Sequence, residues 1–548
     1  MSKAFGEQTP TLGEDAVSWQ TWSDGAGAIP NVTINPDWGK LSLQTAGAEG
    51  RSAVYDLGSA ATRKFTLTEN RYGTGSGSAT LQIRGDTSSF VQDDAVPAWE
   101  TYSAPISRGW RYVQVRETTY SYLLLSVSGD GRYILDRNSN PFLLIGDSPQ
   151  GMMSDLTPAQ METYMANRES YGINAIQVHL LAGATFGGNS TTFQAQDGTH
   201  PFTIDGDIST PNESYFVQVD AMLNLAASHG MVVVLTAAEY MDCENLLVAN
   251  GVTKCTNFGA YLGARYKSYS NIIWNFGNDF NGWPDAGVNA IFLAVADGIL
   301  SEDTNHMMTS WMDIDLGDRF SASRDSDDWD SRINIDLGYS YKPTYDIILD
   351  EYALSPVKPV YLGESNYEGE SWEGYESTPL IIRKQMWWAM LSGACGHFYC
   401  NEDIYAFLSG WVTRLDSYPG LTHVTYLTVL LSSYDWWLMI PDTTSMIITA
   451  GRGTYSNAGD APINTNDYAT CAYIAGVSLA MIYMPANRTM TVDMSQFSNT
   501  VTCRWFDPTD GSYAADAASP HANSGTHDFS RAGANASGDH DWILVLSV

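Results

Sequence analysis

Residues 142–180 read FLLIGDSPQGMMSDLTPAQMETYMANRESYGINAIQVHL, and their pattern decides the fold. A short apolar run, Phe142–Gly146, gives way to Thr157-Pro158, a capping residue with proline at the first helical position. Helical spacing continues to Tyr171, and Ala175–Leu180 returns to an apolar strand. Strand, helix, strand in so short a span is the unit from which parallel sheets are built.

The unit recurs downstream. Phe216, Val219, Leu223 and Ala226 share a helical face, and Met231–Leu235, Ile272–Asn275, Met307–Trp311, Ile333–Leu337, Val360–Gly363 and Ala394–Tyr399 supply further strands. Helical stretches (Phe258–Ser268, Val288–Ser301, Tyr345–Tyr352, Leu380–Leu391) separate most of them. Eight such strands predict a (β/α)8 TIM barrel over residues 128–441, with the fifth and sixth strands the weakest. Residues 1–127 alternate short β-type runs with Gly/Ser/Asp turns and predict a β-sandwich, a module for carbohydrate binding or assembly. Strand patterns return over 442–548 (Met446–Ala450, Cys471–Ala475, Leu479–Met484, Thr489–Asp493, Thr502–Phe506, Trp542–Leu546) and predict a second β-sandwich. Arg84-Gly-Asp reads as a turn. The acidic run Asp325-Ser-Asp-Asp-Trp-Asp lacks EF-hand spacing and reads as a solvated loop.

Composition narrows the function. The 548 residues carry a net charge of −34 with no basic stretch, which argues against nucleic-acid binding and against an anionic membrane surface. No apolar stretch is long enough for a membrane helix. The six cysteines are too sparse for a disulfide scaffold; Cys243 with Cys255 and Cys471 with Cys503 are read either as bridges or as buried thiols. The first residues lack the apolar core of a secretory signal, so the expected extracellular or periplasmic location implies a removed signal or another route, such as a virion released by lysis.

Barrels place reacting groups at the C-terminal ends of their strands. That rule gathers Asp147; His179; Glu239 and Asp242; Asn278 and Asp279; Asp313 and Asp315; Tyr339 and Tyr341; Glu364; and Asn401, Glu402 and Asp403. No phosphate loop, strand-end lysine or Gly-x-Ser-x-Gly elbow accompanies them. Carboxylates on opposing strands suit glycoside hydrolysis, in which one protonates the leaving oxygen and the other attacks carbon or activates water. Trp274, Trp311, Tyr361 and Trp372 are candidates for stacking on sugar. The chemistry needs no cofactor or metal, and the expected partner is a polysaccharide or oligosaccharide. Trp387, Trp388 and His397 read as core.

Asn278-Asp279 after the fourth strand and Gly363-Glu364 after the seventh resemble clan A glycoside hydrolases, which are retaining barrels. More narrowly, the chain resembles the apiosidase-like glycoside hydrolases. The stretches that carry this resemblance are Arg132-Tyr-Ile-Leu-Asp, Pro141-Phe-Leu-Leu-Ile-Gly-Asp and Arg168-Glu-Ser-Tyr-Gly-Ile-Asn-Ala-Ile-Gln. Lys358-Pro-Val-Tyr-Leu-Gly-Glu-Ser-Asn-Tyr-Glu-Gly and Ser392-Gly-Ala-Cys-Gly-His-Phe-Tyr add to them. The tail, Trp505-Phe-Asp-Pro-Thr-Asp-Gly with Asp541-Trp-Ile-Leu-Val-Leu, resembles the collagen-binding-type β-sandwich that closes the family. The resemblance implies Asp279 as acid/base and Glu364 as nucleophile, ~5–5.5 Å apart, with the Asp279 pKa raised. It further implies Asn278 as a contact to the hydroxyl next to the anomeric carbon. Asp147, His179, Glu239, Trp311, Tyr339 and Asn401 complete the expected substrate site. Two departures weaken transfer of apiose specificity: Asp147 is followed by Ser-Pro-Gln rather than a small residue and Trp, and His397-Phe-Tyr-Cys replaces His-Thr-Tyr-Gly. The expected biology is exo-action on plant pectin side chains or, alternatively, endo-action of a phage-borne depolymerase on bacterial capsule. A non-catalytic carbohydrate-binding or adhesion protein is the reading from another class.

Overall fold

The computed structural model describes residues 123–189, 191–313, 321–372, 374–456 and 462–548, and before them the backbone of eight short strands. Asp315 and the Trp372 side chain lie outside the described residues.

The strands before residue 120 form a sheet of Asn31–Ile34, Arg63–Leu67 and Ile106–Arg108, and a second sheet centred on Tyr112–Thr119. Arg84-Gly-Asp is not a turn: it ends strand Ala79–Asp86, where Arg84 pairs with Gln114 and Asp86 with Tyr112, so the ladder runs through the glycine.

The catalytic-type pattern forms one curled parallel sheet. Its strands are β1 (Leu144–Asp147), β2 (Ala175–His179), β3 (Val232–Glu239), β4 (Ile272–Phe280), β5 (Met307–Met308), β6 (Asp336–Tyr339), β7 (Val360–Glu364) and β8 (Gly396–Tyr399). They lie in the order 5-4-3-2-1-8-7-6, so β1 pairs with both β2 and β8 and the sheet has curled back on itself as in a TIM-like fold. Between β5 and β6, a backbone bond from Asn334 N to Met308 O, 2.9 Å long, stands where a ladder would be. Every residue of β1, β2, β3 and β7 is buried, as expected of strands covered on both faces.

The fifth and sixth strands depart most from the sequence reading. β5 is two residues long, and a second piece, Trp311–Met312, pairs separately with β4. β6 starts at Asp336 rather than Ile333, because the Asn334 side chain is engaged in accepting from Met308 N at 3.0 Å. The acidic run is a 3-10 turn, Ser323–Asp325, and a short helix, Asp327–Asp330, rather than a solvated loop. Asp330 is held by Arg324 at 2.8 Å and Lys358 at 2.7 Å. The third connecting helix spans Glu244–Tyr266; Gly251 at φ +73° interrupts the periodicity inside it and hides its first turns from a pattern search.

The C-terminal segment packs a six-stranded sheet on a three-stranded one. Ile448, Met490, Val492 and Phe529 of the smaller sheet share one buried cluster with Ile482, Cys503, Trp505 and Leu544 of the larger. Strands Met439–Pro441, Tyr513–Ala515 and Thr526–Ser530 extend the set read from sequence. Arg383, on the helix Pro379–Met390, is fully buried and holds Asp541 through Nε at 2.9 Å and Nη2 at 2.8 Å. The neighbouring Trp388 donates to Tyr468 O at 2.8 Å, and Trp387 stacks on Tyr483 with ring centroids 6.3 Å apart, so both tryptophans are core. The sandwich thereby braces the barrel. All six cysteines are buried and free.

Candidate active site

Two bulges create the site. β4 pairs through Gly277 with Trp311 and next through Phe280 with Met312, so Asn278 and Asp279 loop out of the ladder. Gly277, Asn278 and Asp279 have φ of +91°, +81° and +48°, three successive left-handed residues. For Asn278 and Asp279 this costs on the order of 1–3 kcal/mol each. A Cβ on Gly277 would lie 2.5 Å from Trp311 O, so only glycine fits there. The same device recurs on β7. Gly338 pairs with Leu362 and Tyr339 with Glu364, which leaves Gly363 as the extra residue. A Cβ on Gly363 would lie 2.4 Å from the Leu337 side chain.

Asp279 and Glu364 therefore stand at bulged ends of strands four and seven, and the charge of Asp279 reaches Glu364. Burial pushes the Asp279 carboxyl up to about 7, with further help from Asp313, while Tyr339 hydrogen-bonds to it. Glu364 is pushed well above the ordinary carboxylate range by burial and by the charge of Asp279. Each acid keeps one buried oxygen, Asp279 Oδ1 and Glu364 Oε2, without a hydrogen-bond partner. The other Glu364 oxygen accepts from Tyr341 Oη at 2.7 Å. The Tyr339 phenol is affected by both charges, and its ring centroid lies 6.4 Å from that of Trp311 and 5.6 Å from that of Tyr341. Trp311 is buried, with an indole N–H that lacks a partner.

Asn278 is held from below. Gln150 Nε2 at 3.3 Å, Gln177 Nε2 at 3.4 Å and His179 Nε2 at 3.3 Å converge on its Oδ1. The amide NH2 is thereby turned away from these donors. Burial pushes His179 down to about 3, so its imidazole is neutral and Nε2 carries the hydrogen.

The remaining expected residues are saturated by the protein. Asp147 accepts from Tyr164 Oη at 2.7 Å, from Ser148 N at 2.8 Å and from the buried Arg168 guanidinium. Glu239 accepts from Asp242 N at 2.9 Å and from Met241 N, and burial lifts it to about 8. Asn401 accepts from Asp403 N at 2.9 Å and donates to Tyr399 Oη at 3.3 Å. These three fasten loops. Trp274 gives its indole N–H to Asp303 at 2.9 Å and Tyr361 packs on Phe398, so neither stacking candidate belongs to the site. His397 is fully buried within β8.

The geometry gives some strand-end candidates a definite part and adds residues outside that set. Tyr341, two positions beyond Tyr339, is the group that touches Glu364. Gln150 bridges Asn278 to Tyr367 Oη, the latter at 3.1 Å, and the charge of Glu364 acts on the Tyr367 phenol. Asp313 and Glu370 add negative charge around Glu364. The signal for Gln150 was the unusual Ser-Pro-Gln after Asp147; for Tyr367 it was only a place in the family-like stretch Lys358–Gly369.

A family model described as "Apiosidase-like, catalytic domain" matches residues 128–438, and one described as "Putative collagen-binding domain of a collagenase" matches residues 461–547. No curated protein matches the sequence. Among solved structures, a protein titled glycoside hydrolase aligns at 22% identity and TM-score 0.65, covering 77% of this chain and 96% of its own. A glycoside hydrolase family 5 structure from Bacteroides vulgatus aligns at 21% identity and TM-score 0.66, covering 77% of this chain and 93% of its own. At such identities these likenesses speak for the fold alone. The first family model, by contrast, spans more than half of the sequence, and the chain belongs to the apiosidase-like family and is a glycoside hydrolase.

Proposed function

We propose that the chain hydrolyses glycosidic bonds of a polysaccharide or oligosaccharide by retaining double displacement, with Glu364 as nucleophile and Asp279 as general acid and base. The observation that carries this reading is the pair of buried carboxyls on strands four and seven, each with an oxygen that the protein leaves without a partner. Burial raises both groups, and the charge of Asp279 raises Glu364 further. Tyr341 donates to Glu364 and favours the negative charge there, the charge state that double displacement needs with the proton on Asp279.

In the first step Glu364 attacks the anomeric carbon while Asp279 passes its proton to the departing oxygen. In the second, Asp279 takes a proton from water, which cleaves the glycosyl–Glu364 ester and regenerates both groups. Asn278, fixed by Gln150, Gln177 and His179, presents its NH2 to a sugar hydroxyl. In this reading the sheet is a full (β/α)8 barrel, the N-terminal strands form a sandwich that binds carbohydrate or joins an assembly, and the enzyme works outside the cell or in the periplasm.

The test is a product screen on plant and bacterial polysaccharides with the native protein and Glu364→Gln. Sugar release by the native protein, reduced more than about 10⁴-fold in a folded Glu364→Gln, is expected. Substantial activity in that variant would contradict the assignment.

A further inference from the structure

We infer that Asp516, His521 and His527 form a binding site for a divalent transition-metal ion of the zinc type on the C-terminal sandwich. Their donor atoms all lie within 4.8 Å of one another. Two imidazole nitrogens and one carboxylate oxygen make a borderline donor set, which suits Zn2+ rather than Mg2+ or Ca2+. Three protein ligands leave the fourth tetrahedral position to water.

Each ligand comes from a different backbone segment, and each segment is pinned. Asp516 N donates to Cys503 O at 3.1 Å. His521 exchanges two backbone bonds with Val501, both 2.9 Å. His527 lies in strand Thr526–Ser530, paired opposite Val492. The carboxylate is oriented by Ala518 N at 3.1 Å and by the Trp505 side chain. Outer bonds of this kind fix the direction from which a carboxylate can ligate. Phe529 walls both rings, with centroids 5.4 Å from His521 and 4.7 Å from His527. The His521 side chain is 10% exposed and that of Asp516 17%, sheltered yet reachable by an ion.

The imidazoles themselves point to an ion. Their centroids are 4.0 Å apart, close enough that two protonated rings would repel. His521 Nε2 meets Asp516 Oδ1 at 3.1 Å, so one proton already occupies part of the space a cation would take. An ion there ties residues 516–527 to the sandwich as a structural staple, away from the Asp279 and Glu364 chemistry.

The full chain, stripped with a chelator that is then removed, is titrated with Co2+ as optical probe and with Zn2+ by calorimetry. One Co2+ per chain with a tetrahedral d–d band, displaced by Zn2+, is expected. Zn2+ should raise the melting temperature of the native chain. His527→Gln and Asp516→Asn should each weaken binding by more than about tenfold. Both should melt like the native protein without metal, and their glycosidase activity should be unchanged. No band in the native chain, or Co2+ binding by both variants as tight as the native chain's, would overturn the site.

Discussion

The ends of strands one and three and the ends of strands four and seven carry the same residue class and use it differently. Asp147 ends a regular strand and Glu239 ends one that bulges at Ala237, and the oxygens of both are engaged by N–H and O–H groups of the protein. Asp279 and Glu364 follow bulges at glycines, and each keeps an oxygen without a partner. A buried carboxyl with an unmet oxygen costs stability, and such a cost persists where function uses it. A saturated one stabilises its loop and has nothing left for substrate. The donors each backbone brings to the carboxylate, more than residue type, separate the two sets.

Asp279→Asn should break the comparison hardest on the reactive side. Activity on substrates with poor leaving groups should fall about 10²–10⁴-fold, read from kcat/KM. In the native enzyme kcat/KM should decline as pH rises past about 7, where Asp279 loses its proton, and the variant should lack that limb. Stability has a matching sign. The folded protein holds this proton up to about 7 while the unfolded chain releases it near 3.8, so native stability falls as pH rises between those values. Urea melts should show Asp279→Asn gaining on the native protein at pH above 7 and not at pH below 4.

On the saturated side, Asp147→Ala leaves the buried Arg168 charge without its partner and should cost ~3–5 kcal/mol in urea melts. The specific activity of the protein that stays folded should remain within a few-fold of native. Above about pH 8, where Glu239 is ionised, Glu239→Gln turns one acceptor into a donor facing a backbone N–H and should cost about 1–3 kcal/mol, again without a catalytic change. Smallest is Tyr341→Phe, which removes the donor to Glu364 and should lower kcat/KM by about tenfold with little effect on melting. A catalytic loss in Asp147→Ala larger than that in Asp279→Asn would invert the comparison.

Strand alternation and the acids at strand ends were legible because apolar runs and helix starts leave local patterns. The bulges were not: Gly277 and Gly363 are ordinary letters until the neighbouring strand places Trp311 O and Leu337 against them. The saturation of Asp147 depends on Arg168, 21 positions along the chain and one helix away. Trp274 and Tyr361 sit close in sequence to the reactive acids, yet the indole of one is engaged by Asp303 and the ring of the other packs on Phe398. Tyr339 was read as the substrate contact after strand six, but the register shift there brings Tyr341 to Glu364 as well. The N-terminal strands carried clear β patterns and no chemistry, and the start of β6 was blurred by an asparagine that caps β5.

The most direct measurement is to trap the intermediate. Asp279→Asn is incubated with a panel of activated aryl glycosides, whose leaving groups need no acid but whose second step needs the missing base, and the protein is mapped by mass spectrometry. A glycosyl adduct on Glu364, absent when Glu364 is also changed to Gln, is the predicted result. An adduct on another carboxylate, or turnover of an aryl glycoside with inversion and no adduct, would contradict the account.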